Sequence, residues 1–134
     1  MKHYGLIGRP LGHSASARYF TAKFEREAID AEYTLYELPE IGAVATLLPA
    51  DIEGLNVTIP YKKDVIPYLD EIDEAALAIG AVNTVVNKNG RLYGYNTDFE
   101  GMRMMICKAG IDPTKKKVLV LGTGGTSVTA RAVA

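Results

Sequence analysis

Apolar and polar positions along the chain switch between a spacing of two and a spacing of three to four, and the switches lay out its elements. Tyr4-Gly5-Leu6-Ile7-Gly8 is a short apolar strand that Arg9-Pro10-Leu11-Gly12-His13 breaks into a loop. Ala17, Phe20, Phe24 and Ala28 then recur at helical spacing, with Ser14 or Ser16 placed to cap the helix. Glu32 to Leu38 alternates with period two and is closed by Pro39; Ile41, Val44, Ala45, Leu47 and Leu48 give the next helical face. Leu55, Val57 and Ile59 alternate with Asn56 and Thr58, so this strand buries one apolar face and turns two hydrogen-bonding side chains the same way. Pro60 ends it, and Tyr61 to Ile66 can supply one helical turn before Pro67.

The second half continues the alternation. Glu71 to Ile79 reads as a short helix ended by Gly80, and Ala81 to Val86 as a strand. Asn87-Lys88-Asn89-Gly90 is a hairpin turn into Arg91 to Tyr95. A helix runs from Asn96 through Met102, Met105, Ile106 and Ala109 to Gly110, its methionines read as core filler. Lys117 to Leu121 is a continuous apolar run of the kind buried on both faces of a parallel sheet. Gly122-Thr123-Gly124-Gly125-Thr126-Ser127 and a helix start follow it. Strand and helix in this order predict an α/β fold, a three-layer domain with a mostly parallel sheet whose ligands gather beyond the carboxyl ends of the strands.

Composition narrows the class. At 134 residues the chain has room for one domain and the edge of a second. A net charge of -1 gives no electrostatic footprint for nucleic acid, and Lys115-Lys116-Lys117 reads as a solvated strand entry. Cys107 is the single cysteine, which excludes an internal disulfide and favours a reducing compartment. With no signal-peptide pattern at the first residues and no apolar run of spanning length, a cytoplasmic protein without a membrane partner is expected. No metal-ligating set is read.

The candidate chemistry collects on one rim. Ser14 and Ser16 beside the open amides of a helix start make a neutral cradle for a small carboxylate or phosphate. Asn56, Thr58 and Lys62 lie at a strand end, where a lysine at a helix start is opposed by the dipole and asks for an anion or a role. Asn83 is an amide within an apolar strand and needs partners of some kind. Thr97 and Glu100 fit a capping box, which leaves the Asp98 carboxylate between them for another purpose. Gly122, Gly124 and Gly125, between a strand and a helix, supply the context of a dinucleotide-binding turn, with Ser127 in the third glycine's place.

Taken together, Ser14-x-Ser16, Asn56-Val57-Thr58-Ile59-Pro60-x-Lys62, Gly80-Ala81-Val82-Asn83-Thr84, Gly94-Tyr95-Asn96-Thr97-Asp98-x-x-Gly101 and Gly122-x-Gly124-Gly125 resemble shikimate dehydrogenase over nearly the whole chain. The resemblance implies the amino-acid-dehydrogenase-like amino-terminal domain over 1–110, binding shikimate, and a truncated start of the NADP-binding Rossmann domain over 111–134. It implies reversible NADPH-dependent reduction of 3-dehydroshikimate to shikimate on the way to chorismate and the aromatic amino acids. Lys62 and Asp98 match the catalytic pair, Ser14 and Ser16 the substrate-carboxylate contacts, and Asn56, Thr58, Asn83 and Asp98 the surroundings of the ring and its hydroxyls. Gly122, Gly124, Gly125 and Thr126 fall in the pyrophosphate turn. Ala17 and Tyr19-Phe20 depart from the proline and His-Asn usual after the serine pair. As a fragment the chain is not expected to turn over alone. An NAD-using quinate/shikimate dehydrogenase and a non-redox module that binds shikimate-like acids are the alternatives. The apolar segment from 118 onward, without a partner strand, is left to pair with another copy or to fray.

Overall fold

The computed structural model describes residues 1–48 and 51–134. Six strands, β1 (Lys2–Gly8), β2 (Ala31–Glu37), β3 (Ile52–Val57), β4 (Glu71–Ile72), β5 (Thr84–Lys88) and β6 (Arg91–Tyr95), form one sheet in the order β2-β1-β3-β5-β6-β4. The β1–β2, β1–β3 and β4–β6 pairs are parallel, while β5 runs antiparallel to β3 and β6 on either side of it. The sheet is therefore mostly parallel, with one reversed strand set by the β5–β6 hairpin. Asn89 and Gly90 both have positive φ, 54° and 86°, the combination a two-residue hairpin turn requires.

Alternation along the strands builds two cores. On one face Ile7, Leu55, Val57, Val85 and Leu92 pack with Val44 and Leu48 of the α2 (Val44–Leu47) region and with Ala76 of α3 (Glu74–Ile79). On the other face Leu6 and Tyr33 meet Phe24, with Phe20 and Ala17 beside them, all three from α1 (Ser16–Arg26). Helix, sheet and helix make the expected three layers. Gly80 closes α3 in the left-handed conformation at φ 76°, where a side chain would be strained. Among the described residues no helix is long and apolar enough to cross a membrane.

Several local expectations give way. Glu71 and Ile72 do not begin α3 but pair with Tyr93 and Gly94 as an edge strand, and Asp73 caps the helix by accepting from the Ala75 amide. β3 ends at Val57, and residues 59–65 form turns rather than a helix start, so no helix dipole opposes Lys62. The capping box does not form. Instead the Asn96 side-chain oxygen accepts from the amides of Asp98 and Phe99, and Glu100 pairs with Arg103. In α4 (Asp98–Lys108) Met104 and Met105 are exposed, because this helix rests on α5 (Gly125–Val133) rather than on the sheet. The buried strand expected over Lys117–Leu121 is absent. Leu119 and Leu121 are 82% and 87% exposed, since a strand needs a neighbour for its hydrogen bonds and none lies beside this segment.

Candidate active site

The sheet topology brings the carboxyl ends of β1, β3 and β6 and the amino end of β5 to one rim. The backbone bonds the parts together there. The Val57 amide donates to the Asn83 carbonyl at 2.7 Å, the Val82 amide to the Lys62 carbonyl at 2.8 Å, and the Thr58 amide to the Ile7 carbonyl at 2.9 Å. Asn96, just past β6, donates its side-chain amide to the Ala81 carbonyl at 2.9 Å and so fixes the entry into α4. This is what aims Asp98.

Lys62 Nζ lies 2.5 Å from Asp98 Oδ2 and 3.3 Å from Thr126 Oγ1. The lysine side chain is only 12% exposed and that of the aspartate 32%, so the pair sits partly desolvated at the rim. Removal from water makes such a charge-assisted bond stronger than a surface ion pair. α5 approaches Lys62 at Gly125, where a Cβ would stand 2.8 Å from the lysine Cβ. Only glycine admits this contact. Lys63 Nζ reaches the Thr123 carbonyl at 3.4 Å, a second tie between the strand-end loop and the glycine-rich turn.

Asn83 is 8% exposed and held at both ends of its amide: its Nδ2 donates to Thr97 Oγ1 at 2.8 Å, and its Oδ1 accepts from the Thr97 amide and the Thr84 hydroxyl. It braces β5 against the entry to α4. Asn56 differs. Its Oδ1 accepts from the Tyr33 hydroxyl at 2.8 Å, and its Nδ2 has no partner among the described residues. Tyr33 is 9% exposed, and burial pushes its hydroxyl up to about 12, against a smaller lowering by nearby Ser16. Ser14 Oγ accepts from the Ser16 amide at 3.2 Å, while Ala15 takes the cap position without a side-chain bond. Thus one serine helps close the helix start, as expected of either.

Thr58 lies on the same face as Asn56; its methyl fills the space that a Cβ on Gly8 would occupy, and its hydroxyl has no protein partner among the described residues. Of the residues singled out in the sequence, Lys62, Asp98 and Thr126 form one linked group, Ser14 and Ser16 are bonded to each other, and Asn56 is held by Tyr33. Asn83 stands with Thr84 and Thr97. Gly122 has a φ of 129°, and Gly124 precedes α5 in open space. Tyr33 was not singled out, Thr97 was read only as a cap, and Asn96 only as a motif position at the helix start. The period-two pattern marks Tyr33 as inward-facing in β2, but only the β2–β1–β3 strand order brings it to Asn56, which lies one same-face row further along, beside Leu6 and Leu35.

The sequence profile of the shikimate dehydrogenase substrate binding domain matches residues 6–85. The chain belongs to the shikimate dehydrogenase family. An NADP(+) shikimate dehydrogenase from Dehalococcoides mccartyi is 46% identical over 127 residues, covering 92% of this chain and 44% of the relative. The chain spans about half the length of the curated relatives it matches. Shikimate dehydrogenase 1 from Peptoclostridium difficile superposes with a TM-score of 0.93 at 39% identity, over 99% of this chain and 50% of that one. A shikimate 5-dehydrogenase from Thermus thermophilus, solved with NADP(H) and shikimate, does so at 0.82 with 33% identity, over 96% and 50%. The chain thus shares the α/β fold of solved shikimate dehydrogenases, the mostly parallel sheet included.

Proposed function

We propose that this chain is the substrate-binding half of a shikimate dehydrogenase, which reversibly reduces 3-dehydroshikimate to shikimate with NADPH in chorismate and aromatic amino acid biosynthesis. Residues 1–110 form the shikimate-binding catalytic domain, and residues 111–134 are the truncated start of the NADP-binding Rossmann domain. The observation that supports this reading is the Lys62–Asp98 pair, 2.5 Å apart and partly buried at the strand ends.

The chemistry follows from those groups. Reduction of a ketone leaves negative charge on its oxygen, and a donor must meet that charge in the transition state. The Lys62 ammonium is that donor, delivering a proton to the oxygen, or removing it from the alcohol in the reverse direction. Asp98 holds the ammonium in place and accepts from a ring hydroxyl. Ser14 and Ser16 bind the carboxylate; Asn56, Thr58 and Asn83 surround the ring. A polyhydroxylated acid demands short polar side chains from several elements, and these supply them.

NADPH would supply the hydride when bound at Gly122, Gly124, Gly125 and Thr126. These residues fit such a group: the first turn of α5 has no acidic side chain, and a Cβ at Gly124 would meet nothing. Because the chain spans about half the length of its curated relatives, it is expected to hold substrate without ordinary turnover. It is read as cytoplasmic, with no nucleic-acid or membrane partner, and its exposed Leu119 and Leu121 are available to pair with another copy.

Calorimetric titration tests this. Heat from shikimate, with none from NADP in a separate cell, is the expected result. Absence of shikimate heat from a demonstrably folded chain contradicts it, and so does turnover by the chain alone at an ordinary enzymatic rate.

A further inference from the structure

We propose that Tyr33 is a positioning residue that locks the Asn56 amide with its oxygen inward, so that Asn56 presents only N–H donors to the oxygen of a ligand hydroxyl. This deepens the shikimate-binding reading and rests on it for the ligand class.

The two amides on the rim show why a lock matters. Asn83 spends its oxygen on two protein donors and one N–H on Thr97, so its orientation is fixed from several sides. Asn56 has one protein partner, Tyr33, at 2.8 Å. Its Nδ2 is unpartnered among the described residues. Yet among them no buried side-chain nitrogen or oxygen lacks a hydrogen bond, so that nitrogen reaches open space. Asn56, with Tyr33 and Thr84, lines a cavity of about 460 Å³ on the α1 face of the sheet. An amide free to flip would offer either an acceptor or donors there. A tyrosine hydroxyl has a single proton, and here it is given to Asn56 Oδ1. The raised hydroxyl, held at about 12, keeps that proton across the physiological range.

The test is a double-mutant cycle of Tyr33→Phe and Asn56→Ala read by shikimate affinity, with folding checked by denaturant midpoint. Side-chain amide NMR of Asn56 in the ligand-free chain runs alongside. Tyr33→Phe is expected to weaken shikimate about fivefold to tenfold, the worth of one neutral hydrogen bond. In the Asn56→Ala background the same change should alter affinity by less than about twofold, because the partner is gone. The Asn56 amide resonances should move in Tyr33→Phe. Equal weakening in both backgrounds, or none in either, overturns the proposal. If the unaltered chain binds no shikimate, the functional reading fails by itself. The resonances then decide the lock: unmoved, they refute it; moved, they uphold the positioning role for another hydroxylated ligand.

Discussion

Removing the Asp98 carboxylate should strand Lys62. Its side chain is 12% exposed, and among the described residues its ammonium would keep only Thr126 Oγ1, at 3.3 Å. A charge-assisted hydrogen bond contributes about 1.5–3 kcal/mol, whereas exposed ion pairs contribute below about 1 kcal/mol. With the aspartate 32% exposed, water recovers part of the loss, so Asp98→Ala should lower unfolding stability by about 1.5–2 kcal/mol. Lys62→Met should cost less, because the stem still packs on α5 and the carboxylate left behind is better hydrated. The double variant should then expose a coupling of about 1 kcal/mol, favourable in the parent. Urea midpoints of the four proteins, compared at equal slope, measure it directly. High salt should reduce the coupling only modestly, since partly buried pairs are weakly screened. A coupling indistinguishable from zero, or one abolished by salt, would refute the partly desolvated pair and with it the geometry of the site.

Three further outcomes follow from neighbouring contacts. Tyr33 should ionise near 12 in the difference titration of parent minus Tyr33→Phe. Because the folded value lies above the ordinary 10, stability is intact below pH 10 and falls as pH rises toward 12; a midpoint near 10 would contradict its burial. Gly125→Ala should destabilise by about 1 kcal/mol despite the better helix propensity of alanine, because its Cβ would meet Lys62; a rise in urea midpoint would contradict that contact. Asn96→Ala should cost about 1–2 kcal/mol by opening the start of α4, while Glu100→Ala stays within about 0.5 kcal/mol; the reverse order in thermal melts would restore the capping box.

The sequence carried the rim further than it carried the supports. Lys62 and Asp98 were legible because each broke a local pattern: a cation after a strand-ending proline, and an acid left over at a helix start. The helix dipole invoked for Lys62 was the wrong cause, since the chain makes turns there; the position nevertheless holds. Asn96 outcompetes Thr97 as cap because its amide also reaches the Ala81 carbonyl, a contact 15 residues away that no local window contains. Tyr33 stayed hidden for a similar reason. Its partner Asn56 is 23 residues distant and is reached diagonally across β1, which only the strand order sets. The Lys117–Leu121 run shows the converse failure. Its apolar pattern fits a buried strand, but a strand's hydrogen bonds come from neighbours, and none is beside it.

The most direct test of the account is to map shikimate onto the folded chain by backbone and side-chain amide shifts. Perturbations should cluster at Ser14, Ser16, Asn56, Thr58, Lys62, Asn83 and Asp98, and should vanish in Lys62→Ala with the fold intact. Shifts confined to the opposite end of the sheet, around the Asn89–Gly90 hairpin, or no shifts at all, would contradict the assignment of this rim as the substrate site.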